Sequence, residues 1–374
     1  GIFIANLNSF TYYFAGVVDN TFVYHEIDKK VSFLHAMFIE GKFYSIFSLL
    51  FGWGIALQIS RSKLNNVATA KFLRRRLWFM LFLGGIHLVF IWMGDIVAFY
   101  SMIGFILLAL RKKSNKTLLI TSGILILSPI VLYYFKMTFI WLNAPAGLLL
   151  KASEYLQTHL ANNPDGRNEA MVIKQSHSII TNTKVNMSNV PFRFAYLIFV
   201  SRIPKVLGMM LLGFVIGRSG IYKRLMEYKT QLFWFILIVL IVSLPANYML
   251  AYYMKNPDNY YNLKIEGWYE TVAYTLGVTP LAMLYVILIA FLFQQKFIKN
   301  ILQLIAPAGK MAFTNYMMQS IIGIVTFYGI GFGYMQKVGP LAWTIFALII
   351  FLFQIIVSTI WLKYFEFGPV EWLW

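Results

Sequence analysis

The residues able to carry chemistry in this sequence are a few ionisable and amide side chains inside strongly apolar segments. His87 lies in one apolar run, and Asp95 follows it in the turn WMGDI. Because they are about two helical turns apart, the two side chains can share a helix face, where a carboxylate orients an imidazole as a general base. The structural alternative is that His87 is hydrogen-bonded between helices and Asp95 caps the next helix.

Two cations stand close together in a later apolar run. Arg202 and Lys205 lie either side of Pro204, and a proline inside a helix frees backbone groups and kinks it. A charge at the centre of a membrane helix costs about 2.5–3.5 kcal/mol, so this pair is expected to bind an anion: a carboxylate, a lipid phosphate or a phosphorylated ligand. Glu40 and Lys42 open another run, where snorkelling to the interface is the favoured interpretation.

A polar stripe lies within a third apolar run, 308–330. Lys310 and Thr314 are four residues apart, as are Asn315 and Gln319, so each pair follows helical spacing. Such a stripe either joins helices through hydrogen bonds of about 0.6 kcal/mol each or lines a cavity. Asn6 adds an amide to the first apolar run.

The composition places these residues in a membrane. Of 374 residues, 59% are apolar, 18% aromatic and only 12% charged, whereas a soluble domain carries about 25% charged residues. The sequence has no Cys, no H-E-x-x-H spacing and no Walker A or dinucleotide motif, so no metal site is expected. The net charge of +18 lies mostly in short clusters between apolar runs. That distribution is typical of cytoplasmic loops, and no nucleic-acid partner is expected.

We predict an all-α, polytopic membrane helix bundle of about ten spans in a single domain, 1–374, since a span needs about 20 apolar residues. The predicted spans are 1–17, 41–60, 75–93, 95–110, 117–136, 192–217, 231–253, 269–293, 308–330 and 340–363. Amphipathic residues 19–39 predict an interfacial helix, and 137–191 predict an extracytoplasmic helical cap. Because the sequence opens inside an apolar run, we expect the natural protein to begin further upstream.

Basic residues predict the orientation. The connections after the second, fourth, sixth and eighth predicted spans carry most of the Lys and Arg residues of the short loops. The positive-inside rule places those connections in the cytoplasm, so both termini are predicted to be cytoplasmic.

Several ordered segments resemble the YeiB family of bacterial inner-membrane proteins. They are FIEGKFYSIFSLLFGWGIAL (38–57), LRRRLWFMLFLGGIHLVFIWMGDIVAFYSMIGFILL (73–108), GKMAFTNYMMQSIIG (309–323) and the ending LKYFEFGPVEWLW. The opening GIFIAN is similar to the second half of the family's first-helix motif. This family looks like a distant branch of the transmembrane acyltransferase superfamily, which includes O-antigen and peptidoglycan acetylases and the lysosomal heparan-sulfate acetyltransferase.

The resemblance implies a multi-pass protein of the bacterial inner membrane. It also implies transfer of an acyl group from cytoplasmic acyl-CoA or acetyl-CoA, as co-substrate, to an extracytoplasmic acceptor such as a lipid or a glycan. Where the bacterial acetylases have a first-helix His, this sequence has Asn6, as in the heparan-sulfate branch. His87 is then the only histidine inside a predicted span.

On this interpretation His87 and Asp95 are catalytic. Asn6, Asn315 and Gln319 donate hydrogen bonds to the oxyanion that forms on the thioester carbonyl during acyl transfer. Arg202 and Lys205 meet the phosphates of CoA. The remaining candidates for substrate binding are Glu40, Lys42 and Lys310.

The same residues suit two other functions. One is a transporter of a small or lipid-like substrate, with the His–Asp pair coupling transport to protons. The other is a non-catalytic protein that binds a lipid or a quinone. The lipid bilayer is a partner in each case. The sequence is compatible with a monomer and with an oligomer.

Overall fold

The computed structural model describes residues 1–13, 25–62, 66–163, 169–254 and 263–373. These ranges contain helices and no strand, so the predicted all-α bundle is confirmed. In chain order the α-helices are α1 (Ile2–Phe10), α2 (Glu26–Phe38), α3 (Lys42–Arg61), α4 (Asn66–Ile86), α5 (Val97–Leu110), α6 (Asn115–Thr138), α7 (Ala144–His159), α8 (Glu169–Gln175), α9 (Ile179–Ser188), α10 (Val190–Phe199), α11 (Arg202–Ser219), α12 (Lys229–Tyr253), α13 (Ile265–Leu292), α14 (Lys296–Lys310), α15 (Ala312–Phe327) and α16 (Pro340–Tyr364).

Several helical stretches are long and apolar enough to cross a membrane, which supports a membrane protein. Within the described ranges five meet this criterion: Glu26–Arg61, Asn115–Thr138, Lys229–Tyr253, Ile265–Leu292 and Pro340–Tyr364. A sixth results if Ile179–Phe199 and Arg202–Ser219, which are bent against each other, count as one broken span. The count of about ten spans and the cytoplasmic termini stay predictions.

Two predicted peripheral segments are helical where they are described. Helix α2 occupies the second half of 19–39, while residues 14–24 lie outside the described part of the chain. Helices α7, α8 and α9 lie within 137–191. The extracytoplasmic position of this helical cap stays a prediction.

Helices α3 and α11 form a close pair at the core. A Cβ on Gly52 would overlap the carbonyl oxygen of Met210, and a Cβ on Gly213 would overlap that of Leu49. Glycine at both positions therefore allows the two backbones to touch, as in other packed membrane helices.

The pair runs in one direction. Gly217 contacts Ala56 near the end of both helices, and Arg202 lies opposite Glu40 at their start. The beginning of α11 is therefore at the same level as the beginning of α3.

The run predicted as one helix over 192–217 is broken. The helices on either side of the break are bent by 69°, and Ser201 between them has a φ of +51°. A proline ring clashes with the carbonyl four residues earlier and kinks or breaks a helix, so Pro204 disfavours a helical Val200, and it fits the first turn of a new helix. The prediction of mid-helix cations is therefore wrong, because Arg202 opens α11.

Candidate functional site

His87 and Asp95 form a buried pair. Nδ1 of His87 lies 2.9 Å from Oδ2 of Asp95, and both side chains are 0% exposed. The other carboxylate oxygen, Oδ1, accepts the backbone N–H of Ala98 at 2.7 Å. Asp95 thus holds the imidazole and caps α5 at the same time, so the two interpretations of the sequence do not exclude each other.

A change of helix geometry brings this pair together. At its end α4 passes into one π-helical turn, His87–Ile91, in which the N–H of Trp92 donates to the carbonyl of His87 at 2.8 Å. The chain then leaves the helix and turns back to Asp95. The expectation that both side chains share one helix face is therefore wrong. Single π-turns are often found at functional sites.

Asn186 of α9 holds the π-turn in place. Its amide Nδ2 donates to the carbonyls of Leu88 at 2.9 Å and Val89 at 2.7 Å, and its Oδ1 accepts the N–H of Met93 at 2.6 Å. These backbone groups lose helical partners where the π-turn ends. Sequence reasoning missed Asn186, because it lies nearly a hundred residues from the turn and no local pattern links the two.

The second imidazole nitrogen of His87 is free. Nε2 is buried and has no hydrogen-bond partner among the described residues. The rings of Tyr316 and Trp92 surround it, at centroid distances of 5.3 and 6.5 Å. The Tyr316 hydroxyl donates to Oδ2 of Asp95 over 3.4 Å, a long contact. With the Nδ1 proton held by Asp95, the Nε2 lone pair is available to a proton donor.

A cavity of about 190 Å³ lies on the other side of Trp92. Tyr12 and Glu169 line it, and the Tyr12 hydroxyl donates to Oε1 of Glu169 at 2.5 Å. Desolvation there raises the pKa of Glu169 above its ordinary value. Trp92 therefore contacts both this cavity and the surroundings of the His87 imidazole.

Arg193 connects the His–Asp pair to a second charged group. Its guanidinium donates to the backbone carbonyl of Asp95 over 3.5 Å and lies 5.8 Å from the ring centre of Tyr196. Its Nε is buried without a partner in the described structure, and it interacts electrostatically with Arg202. Sequence reasoning did not select Arg193, because a basic residue at the entry of a span usually anchors at the interface.

Arg202 lies at the start of α11 among aromatic rings. It donates to the Tyr196 hydroxyl at 2.8 Å and lies 5.1 Å from the ring centres of Tyr44 and Tyr196. Glu40 is 3.7 Å away, longer than the 2.7–2.9 Å typical of a charged hydrogen bond. The ion pair of Arg202 with Glu40 is therefore loose.

Lys205 is more isolated. It is 3% exposed, and its ammonium lies 3.5 Å from the ring centre of Tyr274 without a hydrogen-bond partner in the described ranges. Its electrostatic neighbours are Arg202, Lys42 and Glu40. Positive charge therefore exceeds negative charge at this point.

Lys42 and Lys136 are buried cations with partners. Lys42 is 0% exposed and donates to the carbonyl of Ala36 at 2.8 Å, at the end of α2. The snorkelling interpretation of Lys42 is therefore wrong, because the side chain is fully buried and a carbonyl near the end of α2 accepts its ammonium proton. Lys136 of α6 donates to the carbonyls of Ile198 and Phe199, at 2.6 and 2.9 Å, where α10 is broken.

The amides of the predicted polar stripe join α15 to α16. Asn315 donates to Ser358 at 3.0 Å, Gln319 donates to Gln354 at 2.7 Å, and Gln354 donates to the carbonyl of Asn315 at 2.9 Å. The helix-joining alternative is confirmed. The structure does not bring these donors to His87, so their predicted oxyanion role has no support in this geometry.

Lys310 and Asn6 lie apart from the pair. The helical run is interrupted at Met311, so Lys310 is the last residue of α14. Its side chain is exposed, and its ammonium lies 5.9 Å from the ring centre of Phe367. Half-buried Asn6 makes no described hydrogen bond to the pair. Helix α1 instead reaches the site through Phe10, whose ring stacks on Trp92 at 4.4 Å.

Comparison with known proteins confirms the resemblance to the YeiB family. Residues 216–374 match the family described as "Protein of unknown function (DUF418)". The chain is 28% identical over its whole length to the uncharacterized protein YxaH of Bacillus subtilis strain 168, covering 90% of that protein. It is 27% identical to the uncharacterized protein YeiB of Escherichia coli K12, covering 89% of this chain and 80% of that protein. No solved structure matches.

Proposed function

We propose that this YeiB-like protein is an acyltransferase of the bacterial inner membrane. It takes an acyl group from cytoplasmic acyl-CoA and delivers it to a hydroxyl or amine of an extracytoplasmic or lipid-borne acceptor. The observation that carries the proposal is the buried His87 imidazole, held at Nδ1 by Asp95 and free at Nε2. A histidine oriented by a carboxylate in this way is a typical general base.

The proposed reaction uses the two nitrogens differently. Nε2 of His87 takes the proton of the acceptor hydroxyl as its oxygen forms a bond to the thioester carbonyl carbon. The carbon–sulfur bond then breaks, and the imidazolium returns the proton to the leaving thiolate. The products are an acylated acceptor and CoA with a free thiol. Asp95 stabilises the imidazolium and keeps the reactive nitrogen toward the substrate.

The Tyr316 hydroxyl replaces the stripe amides as the proposed oxyanion donor. It lies beside the His87 ring, and its long contact with Asp95 leaves its proton free to move to a better acceptor. The cavity behind Trp92 is the proposed approach for the acceptor, with movement of the indole opening the way to the imidazole.

The test is acyl transfer by the purified full chain in proteoliposomes. Labelled acetyl-CoA is supplied with bacterial lipid extract as the acceptor source, and free CoA and labelled product are measured. His87→Gln is expected to lower the rate by about 100-fold or more. The matched control is His159→Gln, since His159 is exposed and its Nδ1 contacts only the carbonyl of Tyr155 among the hydrogen bonds described. Equal rates for His87→Gln and the native chain would refute the proposal.

The break between α10 and α11 favours a second candidate, a carrier for an anionic substrate. Transporters often bind anions at the N-terminus of a discontinuous membrane helix, and α11 begins with Arg202 beside Lys205. A carrier would move a labelled anion into proteoliposomes in response to a pH gradient without acyl-CoA. An acyltransferase would not.

A further inference from the structure

We propose that Arg193, Arg202, Lys205 and the N-terminus of α11 form a binding site for a phosphate group, such as the phosphomonoester of a lipid headgroup. The binding claim stands without the proposed acyl transfer, since it concerns groups other than the His87 imidazole.

The first argument is that several buried donors converge there without acceptors. Four of the buried atoms that have no hydrogen-bond partner in the described ranges belong to this cluster: Nζ of Lys205, Nε of Arg193 and the hydroxyl oxygens of Tyr44 and Tyr274. Arg202 lies among them and interacts electrostatically with both tyrosines. Buried polar groups in native proteins are nearly always paired, so a cluster of unpaired donors indicates a missing acceptor.

The second argument is the balance of charge. Arg202 interacts electrostatically with Arg193 and with Lys205, and Lys205 interacts with Lys42. The facing carboxylates are those of Glu40 and, beside it, Glu270, while Asp95 is engaged by His87. An anion is therefore needed to neutralise the excess positive charge in a place from which water is largely excluded.

The third argument is the uncapped start of α11. No side chain caps this helix, and the Oγ of Ser201, the residue just before it, instead accepts a hydrogen bond from Lys136 at 2.9 Å. The first N–H groups of a helix have no helical partner and carry a partial positive charge, which favours a phosphate oxygen. Since Pro204 has no N–H, the backbone donors at this helix start are those of Arg202 and Ile203. Unpartnered Lys205 lies in this first turn.

The number of donors favours a phosphate over a carboxylate. A carboxylate offers two oxygens, whereas a phosphomonoester offers three and carries up to two charges. Gly41 provides part of the space, because a Cβ at this position would overlap the Tyr274 hydroxyl. Glu40 is the resident anion that the phosphate displaces, since it holds Arg202 only loosely and is 26% exposed.

The position of the site favours a lipid over CoA. Helix α11 has 18 residues, about 27 Å at 1.5 Å per residue, and ends next to Arg218 in a connection predicted to be cytoplasmic. Its start then lies near the outer leaflet, far from the cytoplasmic phosphates of CoA. The predicted contact of Arg202 and Lys205 with CoA is replaced by a contact with a headgroup.

The test measures binding by the purified full chain. Native mass spectrometry counts retained phosphatidic acid against phosphatidylcholine, and thermal unfolding is followed with inorganic phosphate or pyrophosphate. Retention of phosphatidic acid without an effect of the inorganic anions identifies a lipid headgroup, and the reverse identifies a free anion. Both results support the phosphate site, and neither lipid nor inorganic anion binding above the phosphatidylcholine control would overturn it.

Two variants of opposite sign make the test specific. Lys205→Met is expected to weaken binding about 10-fold or more, since a hydrogen bond to a charged group is lost. Glu40→Gln is expected to strengthen binding, because the competing carboxylate is removed. Lys299→Met is the control, since Lys299 is an exposed cation on α14. Unchanged affinity in both Lys205→Met and Glu40→Gln would overturn the proposal, and the Glu40 variant keeps it testable if Lys205→Met fails to fold.

Discussion

Two groups of buried polar side chains differ in whether their donors and acceptors are paired. Between α15 and α16, the side-chain donors of Asn315, Gln319 and Gln354 are all used within the protein. Around α4 and α11, Nε2 of His87 and Nζ of Lys205 have no hydrogen-bond partner in the described ranges. Amides whose hydrogen bonds are all made within the protein join helices. Buried ionisable groups without a hydrogen-bond partner indicate instead a site that binds a ligand or a proton.

Lys136 shows that burial of a charge is not the distinguishing feature. It is 7% exposed, close to the 3% of Lys205, yet it donates to two carbonyls and to Ser201. Its ammonium therefore joins α6 to the end of α10, at the break before α11.

The largest expected effect is that of Asp95→Asn. The amide no longer fixes the imidazole with Nε2 as the base, so we expect release of CoA to fall by about 100-fold. The side-chain oxygen still accepts from Ala98, so the thermal midpoint should stay near that of the native chain. Release of CoA at the native rate by Asp95→Asn would mean that His87 and Asp95 have a structural role and not a catalytic one.

Lys136→Met is expected to have the largest effect on stability. It removes the ammonium that donates to the carbonyls of Ile198 and Phe199 and to Ser201, a loss of about 2–4 kcal/mol. The measurement is the free energy of unfolding in detergent by denaturant titration. An unchanged value would mean that the break before α11 does not need this cation.

A smaller effect is expected from pH at Glu169. Desolvation raises its pKa, so the folded chain holds this proton more tightly than the unfolded chain. This contribution is present below the ordinary glutamate pKa, about 4.3, and is lost as pH rises through the raised value. Glu169→Gln should therefore give a shallower fall of stability with rising pH. Identical pH profiles for the variant and the native chain would contradict this assignment.

The smallest effect is expected for Gln319→Leu. One interhelical hydrogen bond in a membrane protein contributes about 0.6 kcal/mol, so stability should fall by about that amount. Release of CoA should not change, because Gln319 bonds to Gln354 and lies outside the His87 site. A fall in rate comparable to that of Asp95→Asn would remove the distinction between the two groups.

The sequence predicted the helical class, because long apolar runs indicate it. It also selected His87 and Asp95 as a candidate pair, although the shared helix face on which that choice rested was wrong. It also contained a signal for the break before α11, since Pro204 disfavours a helical Val200. The π-turn was not predictable, because Asn186 stabilises it from a distant part of the chain. Arg193 was missed for a similar reason, as its contact with Asp95 depends on the fold of the bundle.

The central claim is that pairing, and not burial, separates structural from functional charges in this protein. Its most direct test is the free energy of unfolding of Lys205→Met, measured beside that of Lys136→Met. Lys205 is a buried cation without a hydrogen-bond acceptor in the described ranges. Replacing it with an apolar side chain of similar size should leave the free energy of unfolding unchanged or raise it, as at other functional sites. A loss at Lys205→Met as large as the loss at Lys136→Met would contradict the claim.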